Sequence, residues 1–151
     1  MNIKYRGKQK DSGEWVHGYY VAADNKHFII VTDAKLQAAG YVENVRDMDG
    51  GFSQEGRFWV CEAIPETVGL SAGVTDKNGK EAYRDDIVRY GKIVGVIKFE
   101  IYENPMDDNK GGHLGFYVFF KKEEFYRKDI MYWLGRCEIV GNIHEHPDII
   151  K

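Results

Sequence analysis

The chain has 151 residues, 43% of them AVILMFWYC and 30% charged, and its 21 Lys and Arg against 24 Asp and Glu leave a formal charge of −3. A chain of that size buries roughly two-thirds of its unfolded surface and needs no disulfide or metal staple. With a mean hydropathy of −0.50 and no apolar run near the ~18 residues of a membrane helix, an integral helical membrane protein is excluded. Met1 to Gly7 has no apolar leader core, so the expected address is the cytoplasm.

Short apolar runs broken by turn residues predict strands. Asn2 to Arg6, Trp15 to Ala22 after Asp11-Ser12-Gly13, and His27 to Thr32 after Asp24-Asn25-Lys26 read as a β-meander. The unbroken run Phe28 to Val31 suits a strand covered on both faces. Asp33 could cap a short helix over Ala34 to Ala39, stopped by Gly40. Asp47 to Gly56 is polar and Gly-rich, hence an exposed loop, and Phe58 to Cys61 restarts a strand.

A composition break near Ala63-Ile64-Pro65 divides the chain into an N-terminal β-rich segment, 1–63, and a second segment, 64–151. In Asp76-Lys77-Asn78-Gly79-Lys80, the central Asn-Gly suits a type I′ reversal, which needs φ > 0 at both residues. Asp76, Asn78 and Gly79 therefore form a fold-determining turn, with Tyr83 packing back on the sheet. Ile87 to Tyr90 and Ile93 to Tyr102 follow as strands, the latter with Val94, Val96 and Lys98 on one side and Ile93, Ile97, Phe99 and Ile101 on the other. Asn104 to Gly112 is a loop by composition, and His113 to Phe120 another aromatic strand. Tyr126, Ile130 and Trp133-Leu134 recur on one helical face, predicting a helix over 121–134. Cys137 to Ile143 closes as a strand, and Pro147 opens a terminal helical turn.

Cys61 and Cys137 lack neighbouring Cys or His at zinc-finger spacing, so they read as free, packed thiols. His17 and His113 flank strands and read as half-buried packing residues. Asp85-Asp86, with Asp76 or Glu81, offers oxygen ligands of the kind Mg²⁺ or Ca²⁺ takes, but without a spaced acidic loop a solvated turn is the better reading. His144-Glu145-His146 supplies two imidazoles and no third ligand. No nucleophile elbow, phosphate loop or dinucleotide fingerprint occurs, so no catalytic, cofactor or metal residue is assigned and no enzyme is expected.

Ile64-Pro65-Glu66-Thr67-Val68-Gly69, Asp76 to Glu81, Asp86-Ile87-Val88 and the tail Glu138 to Pro147 resemble the YopX family of bacteriophage and prophage proteins. The aromatic opening with Arg6, Gly18 and Tyr19 is similar but less specific. The chain departs from the family pattern in three places. Ala72-Gly73-Val74 replaces Thr-Gly-Leu, Arg84-Asp85-Asp86 replaces Glu-Gly-Asp, and His146 replaces an Asn before the final Pro. The resemblance implies a mainly β protein with a small SH3-like barrel over 64–151 and one or two short helices, or one continuous YopX-like domain. It implies no catalytic residues.

Two binding readings follow. A phage-encoded scaffold without a reaction centre suits a protein-interaction or self-assembling module, with open strand edges favouring a homo-oligomer or an unknown phage or host protein partner. The alternative is a nucleic-acid accessory protein, because small barrels hold single strands on aromatic platforms and basic grooves. Its contributors would be Arg89, Lys92, Lys98, Lys121 and Lys122, with Lys4, Arg6, Lys8, Lys10, Arg127 and Lys128, and the aromatic runs Tyr5-Trp15-Tyr19-Tyr20 or Phe116-Tyr117-Phe119-Phe120. That reading requires the dispersed cations to converge on one face. A metal-dependent hydrolase is a third and weaker reading.

Overall fold

A computed structural model describes residues 3–31, 59–105, 111–121, 125 and 127–151. The expected helix over 34–39, the loop over 47–56, Lys122 and Tyr126 lie outside the described residues. What is described is mostly antiparallel strand, as expected of a mainly β chain, and it divides into two compact units, Asn2–Gly69 and Leu70–Lys151.

In the first unit, β1 (Tyr5–Lys8), β2 (Trp15–Ala23), β3 (Lys26–Val31) and β4 (Trp59–Glu62) pair in the order β4-β3-β2-β1, the meander that the turn signals predict. The β2–β3 reversal is a two-residue loop, with Ala23 opposite Lys26 and both Asp24 and Asn25 at positive φ (50° and 60°). Short polar side chains tolerate that conformation, which matches the twist of the flanking strands. Gly18 is dictated by a close approach: a Cβ there would lie 2.0 Å from the Ile30 carbonyl oxygen. Within the Phe28 to Val31 run only Ile29 is fully buried, so β3 is covered less completely than its unbroken apolar sequence predicts.

In the second unit, β5 (Gly69–Thr75) and β6 (Glu81–Tyr83) form a hairpin. β7 (Asp86–Tyr90), β8 (Ile93–Tyr102), β9 (His113–Phe120) and β10 (Glu138–Asn142) form a sheet in the order β10-β7-β8-β9. The last strand thus returns beside β7, the first of this sheet. No ladder joins β9 to β10 among the described residues. One face of this sheet presents Val88, Ile97, Val118 and Phe120, which pack with Ala82, Trp133, Leu134 and Cys137 into the core.

Among the described residues only Ile130–Leu134 forms an α-helix (α1), shorter than the helix predicted over 121–134. Lys128 instead runs beside β9, its carbonyl taking the Val118 N–H at 2.9 Å, and the Trp133 indole N–H donates to the Arg127 carbonyl. The aromatic spacing serves packing: Phe120, Phe125 and Trp133 meet with ring centroids 4.7–4.8 Å apart. Aromatic pairs in such edge-to-face contact add to the packing beyond the area they bury. No described helix is long and apolar enough to cross a membrane.

Candidate functional site

Two polar constellations in the second unit differ in what their charged groups touch. The first is the corner at Asp76, where β5 turns into β6. The Asp76 carboxylate is buried, and one of its oxygens accepts the N–H groups of Asn78 (2.8 Å) and Lys80 (2.9 Å). The other accepts the N–H of Ile139 on β10 at 2.8 Å. Burial pushes this carboxyl up, but the N–H donors of Ile139, Lys80 and Asn78, with the Lys80 ammonium, outweigh it and hold the group below the usual carboxylate range.

The turn is not the predicted type I′. Gly79 alone takes positive φ (83°), its N–H donates to the Asp76 carbonyl, and the Asp76 N–H donates to the Lys80 carbonyl. This is a type I turn followed by a left-handed glycine, the three-residue hairpin loop. The Asp76 side chain selects it by drawing in the Asn78 and Lys80 amides. Tyr83 is buried as expected, and its hydroxyl donates to Glu81 at 2.9 Å. Close by, Cys137 is fully buried and its thiol is pushed up to about 11 by burial, against the opposing pull of Lys77 and Arg136. Cys61 is half-buried, and it too is raised by burial, partly offset by a hydrogen bond from the Gln9 amide.

The Asp85-Asp86 pair is likewise structural. Asp86 is 1% exposed and accepts the Tyr83 N–H at 2.9 Å. Asp85 holds φ +73°, a conformation that suits Gly and is the place where the YopX pattern has one. Its carboxylate lies 3.3 Å from Arg84 Nε and 3.4 Å from His144 Nε2. Among the described residues no three His, Cys, Asp or Glu side chains come together as a metal-holding group. His113 is half-buried beside Tyr102, whereas His17 is exposed, contrary to its sequence reading.

The second constellation is a groove between the start of β8, the end of β9 and the C-terminal turn. The alternation of β8 sends Val94 and Val96 to this groove, and the ladder sets Phe119 opposite Val96. Asn142 then redirects the chain, its side-chain carbonyl accepting the N–H groups of His144 and Glu145 at 3.1 and 3.0 Å. The 3-10 turn Pro147–Ile150 that follows lays Ile149 and Ile150 along the groove. The cavity is about 510 Å³, and Lys92, Lys121 and Lys151 are the cations in its lining. Lys98 stands nearby with its Nζ 4.9 Å from the Phe119 ring centroid and 3.7 Å from Glu100. Lys151 pairs with Asp148, while Lys92 and Lys121 have no ion pair among the described residues.

Of the predicted nucleic-acid contacts, the fold thus brings Lys92, Lys98 and Lys121 around one exposed aromatic, Phe119. Arg89 also faces this way but is drawn 3.7 Å from Glu138 on the neighbouring strand. Lys4, Lys8 and Lys10 belong to the other unit, where the Arg6 guanidinium lies 4.7 Å from the Trp15 ring. Lys151 and the Ile149-Ile150 wall were missed by sequence reasoning. The β8 alternation was the only signal that pointed to the groove floor.

No curated protein matches the chain. Among solved structures it is similar to the crystal structure of protein EF1440 from Enterococcus faecalis, at 15% identity and a TM-score of 0.49, over 100% of this chain and 99% of that one. The family model described as YopX protein matches residues 4–151. The chain therefore belongs to the YopX family.

Proposed function

We propose that this protein is a non-enzymatic, phage- or prophage-encoded interaction module, acting in the host cytoplasm and binding another protein through the groove beside β8. One observation carries this reading. The groove beside β8 has an apolar floor with lysines at its margin, whereas the buried carboxylates nearby are engaged by backbone amides. A cleft whose floor is apolar and whose margin is charged has the anatomy of a recognition surface, with desolvated contact at the centre and polar groups at the rim. In-cell photo-cross-linking tests it. A photoreactive residue at Val94 should give discrete protein adducts, and one at Met131, which is exposed elsewhere in the unit, should not. Equal patterns from the two positions would refute the reading.

The nucleic-acid alternative has one observation in its favour, the gathering of Lys92, Lys98 and Lys121 about Phe119. It predicts binding of a single-stranded probe that weakens steeply with salt, measured by fluorescence anisotropy. Flat titrations at low salt remove it.

A further inference from the structure

We infer that the groove takes a short acidic segment of a partner protein, with one apolar side chain seated on Val94, Val96 and Phe119 and flanking carboxylates met by Lys92 and Lys121. This inference rests on the interaction-module reading and adds the chemistry of the occupant. Three features select it. The cavity, about 510 Å³, falls within the roughly 300–1,000 Å³ of sites that enclose small ligands, so it admits a few side chains and not a folded domain. Its floor and wall are mainly branched aliphatics, Val94, Val96, Ile149 and Ile150, which complement an aliphatic or aromatic side chain by shape and offer no hydrogen bonds to a base edge. Its margin is cationic although the chain as a whole carries −3, so the local charge and not the overall balance sets the sign of the partner.

Phe119 also discriminates against a nucleic acid. Strand-binding proteins stack bases on open aromatic faces, but the Lys98 ammonium lies 4.9 Å from this ring's centroid, and Glu100 lies 3.7 Å from the same lysine. A base stacking on the ring face that Lys98 covers would have to displace it from its cation–π contact. An apolar peptide side chain meets the ring from within the groove, where Val96 is its cross-strand neighbour.

Selection from a random displayed dodecapeptide library against the full chain tests the inference. The enriched peptides should carry Asp or Glu on both sides of an aliphatic or aromatic residue. Their binding should weaken with added salt and fall about tenfold on the double variant Lys92→Glu/Lys121→Glu, with the circular-dichroism melt unchanged to show that the variant folds. A second variant, Ile149→Ser, should weaken the same peptides while leaving their salt dependence intact. Peptides without acidic enrichment, peptides that bind the charge-reversed variant equally well, or an oligo-dT 12-mer that binds more tightly and loses binding on that variant would each overturn the inference. Cross-linked adducts from Val94 that persist in the charge-reversed variant would sink the acidic occupant while leaving the interaction module standing. Loss of the Val94-specific adducts in the unaltered chain would remove the module itself.

Discussion

The Asp76 corner and the lysine groove lie in the same unit, and both are built from charged side chains around β-strands, yet they use charge in opposite ways. At the corner a buried carboxylate is saturated by three backbone N–H donors from two separate parts of the chain. At the groove, Lys92 and Lys121 stand beside apolar surface with no ion pair among the described residues. The difference teaches where to look for function in this β scaffold. A saturated polar group reports on architecture, and an unmatched charge beside apolar surface is where the proposed recognition can be tested.

The sharpest way to break this contrast is at the corner. Asp76→Ala should destabilise the second unit by about 2–3 kcal/mol, because the buried Ile139 N–H left without an acceptor costs ~1–3 kcal/mol and the exposed Asn78 and Lys80 amides lose their cap, and urea denaturation measures the loss. Asp76→Asn should lose about half as much, since its carbonyl still accepts. The depressed carboxyl also fixes the sign of the acid response. Its stabilisation is complete above the unfolded pKa of about 3.9 and is lost as the pH falls through the lower folded value. Asp76→Asn should therefore flatten stability against pH below about 4, and an unchanged slope would show that the corner does not act as described.

Thiol labelling reads the same corner kinetically. Cys137 is fully buried, with its thiol raised to about 11, and its carbonyl accepts the Lys77 N–H of the turn. Labelling by a disulfide reagent at pH 8 should proceed at half-buried Cys61 in the native protein and reach Cys137 only through unfolding of the unit. Asp76→Ala should accelerate the Cys137 phase alone.

Smaller effects are expected at Asp85. Asp85→Ala should cost about 1 kcal/mol, the penalty of a Cβ at positive φ without a short polar side chain. Asp85→Gly should stay within about 0.5 kcal/mol of the natural protein, since relief of that strain offsets the loss of the partly exposed contacts to Arg84 and His144. The smallest effect belongs to the groove. Lys92→Glu/Lys121→Glu should change thermal stability by no more than about 0.5 kcal/mol, and a larger loss would mean that these lysines hold the fold.

The same contrast explains what could be read from the residues. Strands β8 and β9 appear over 93–102 and 113–120 as the apolar runs predict, because period-two alternation is a local property that the sheet preserves. The corner's importance was legible in Asp76-Lys77-Asn78-Gly79, but its turn type was not. Preference for Asn-Gly is local, whereas the observed loop depends on a carboxylate that also reaches Ile139, 63 positions away. The helix over 121–134 was read from the spacing of Tyr126, Ile130 and Trp133-Leu134; Ile130–Leu134 is helical, but Lys128 and Asp129 are held beside β9 by backbone contacts that side-chain periodicity does not report. The groove was the least legible part. Val94 and Val96 follow from alternation, but the Ile149-Ile150 wall reaches them only after Asn142 has turned the chain back, and no sequence window contains both.

The Asp76–Ile139 bond has a consequence for synthesis. During translation the β5–β6 turn leaves the ribosome well before β10 does, so for that interval one oxygen of the carboxylate lacks its amide and must stay hydrated. Closing so long a loop carries an entropic cost that is offset only when the distal contacts form together. Residues 70–137 on a stalled nascent chain should therefore remain protease-sensitive, and resistance should appear in one step once β10 has emerged from the exit tunnel.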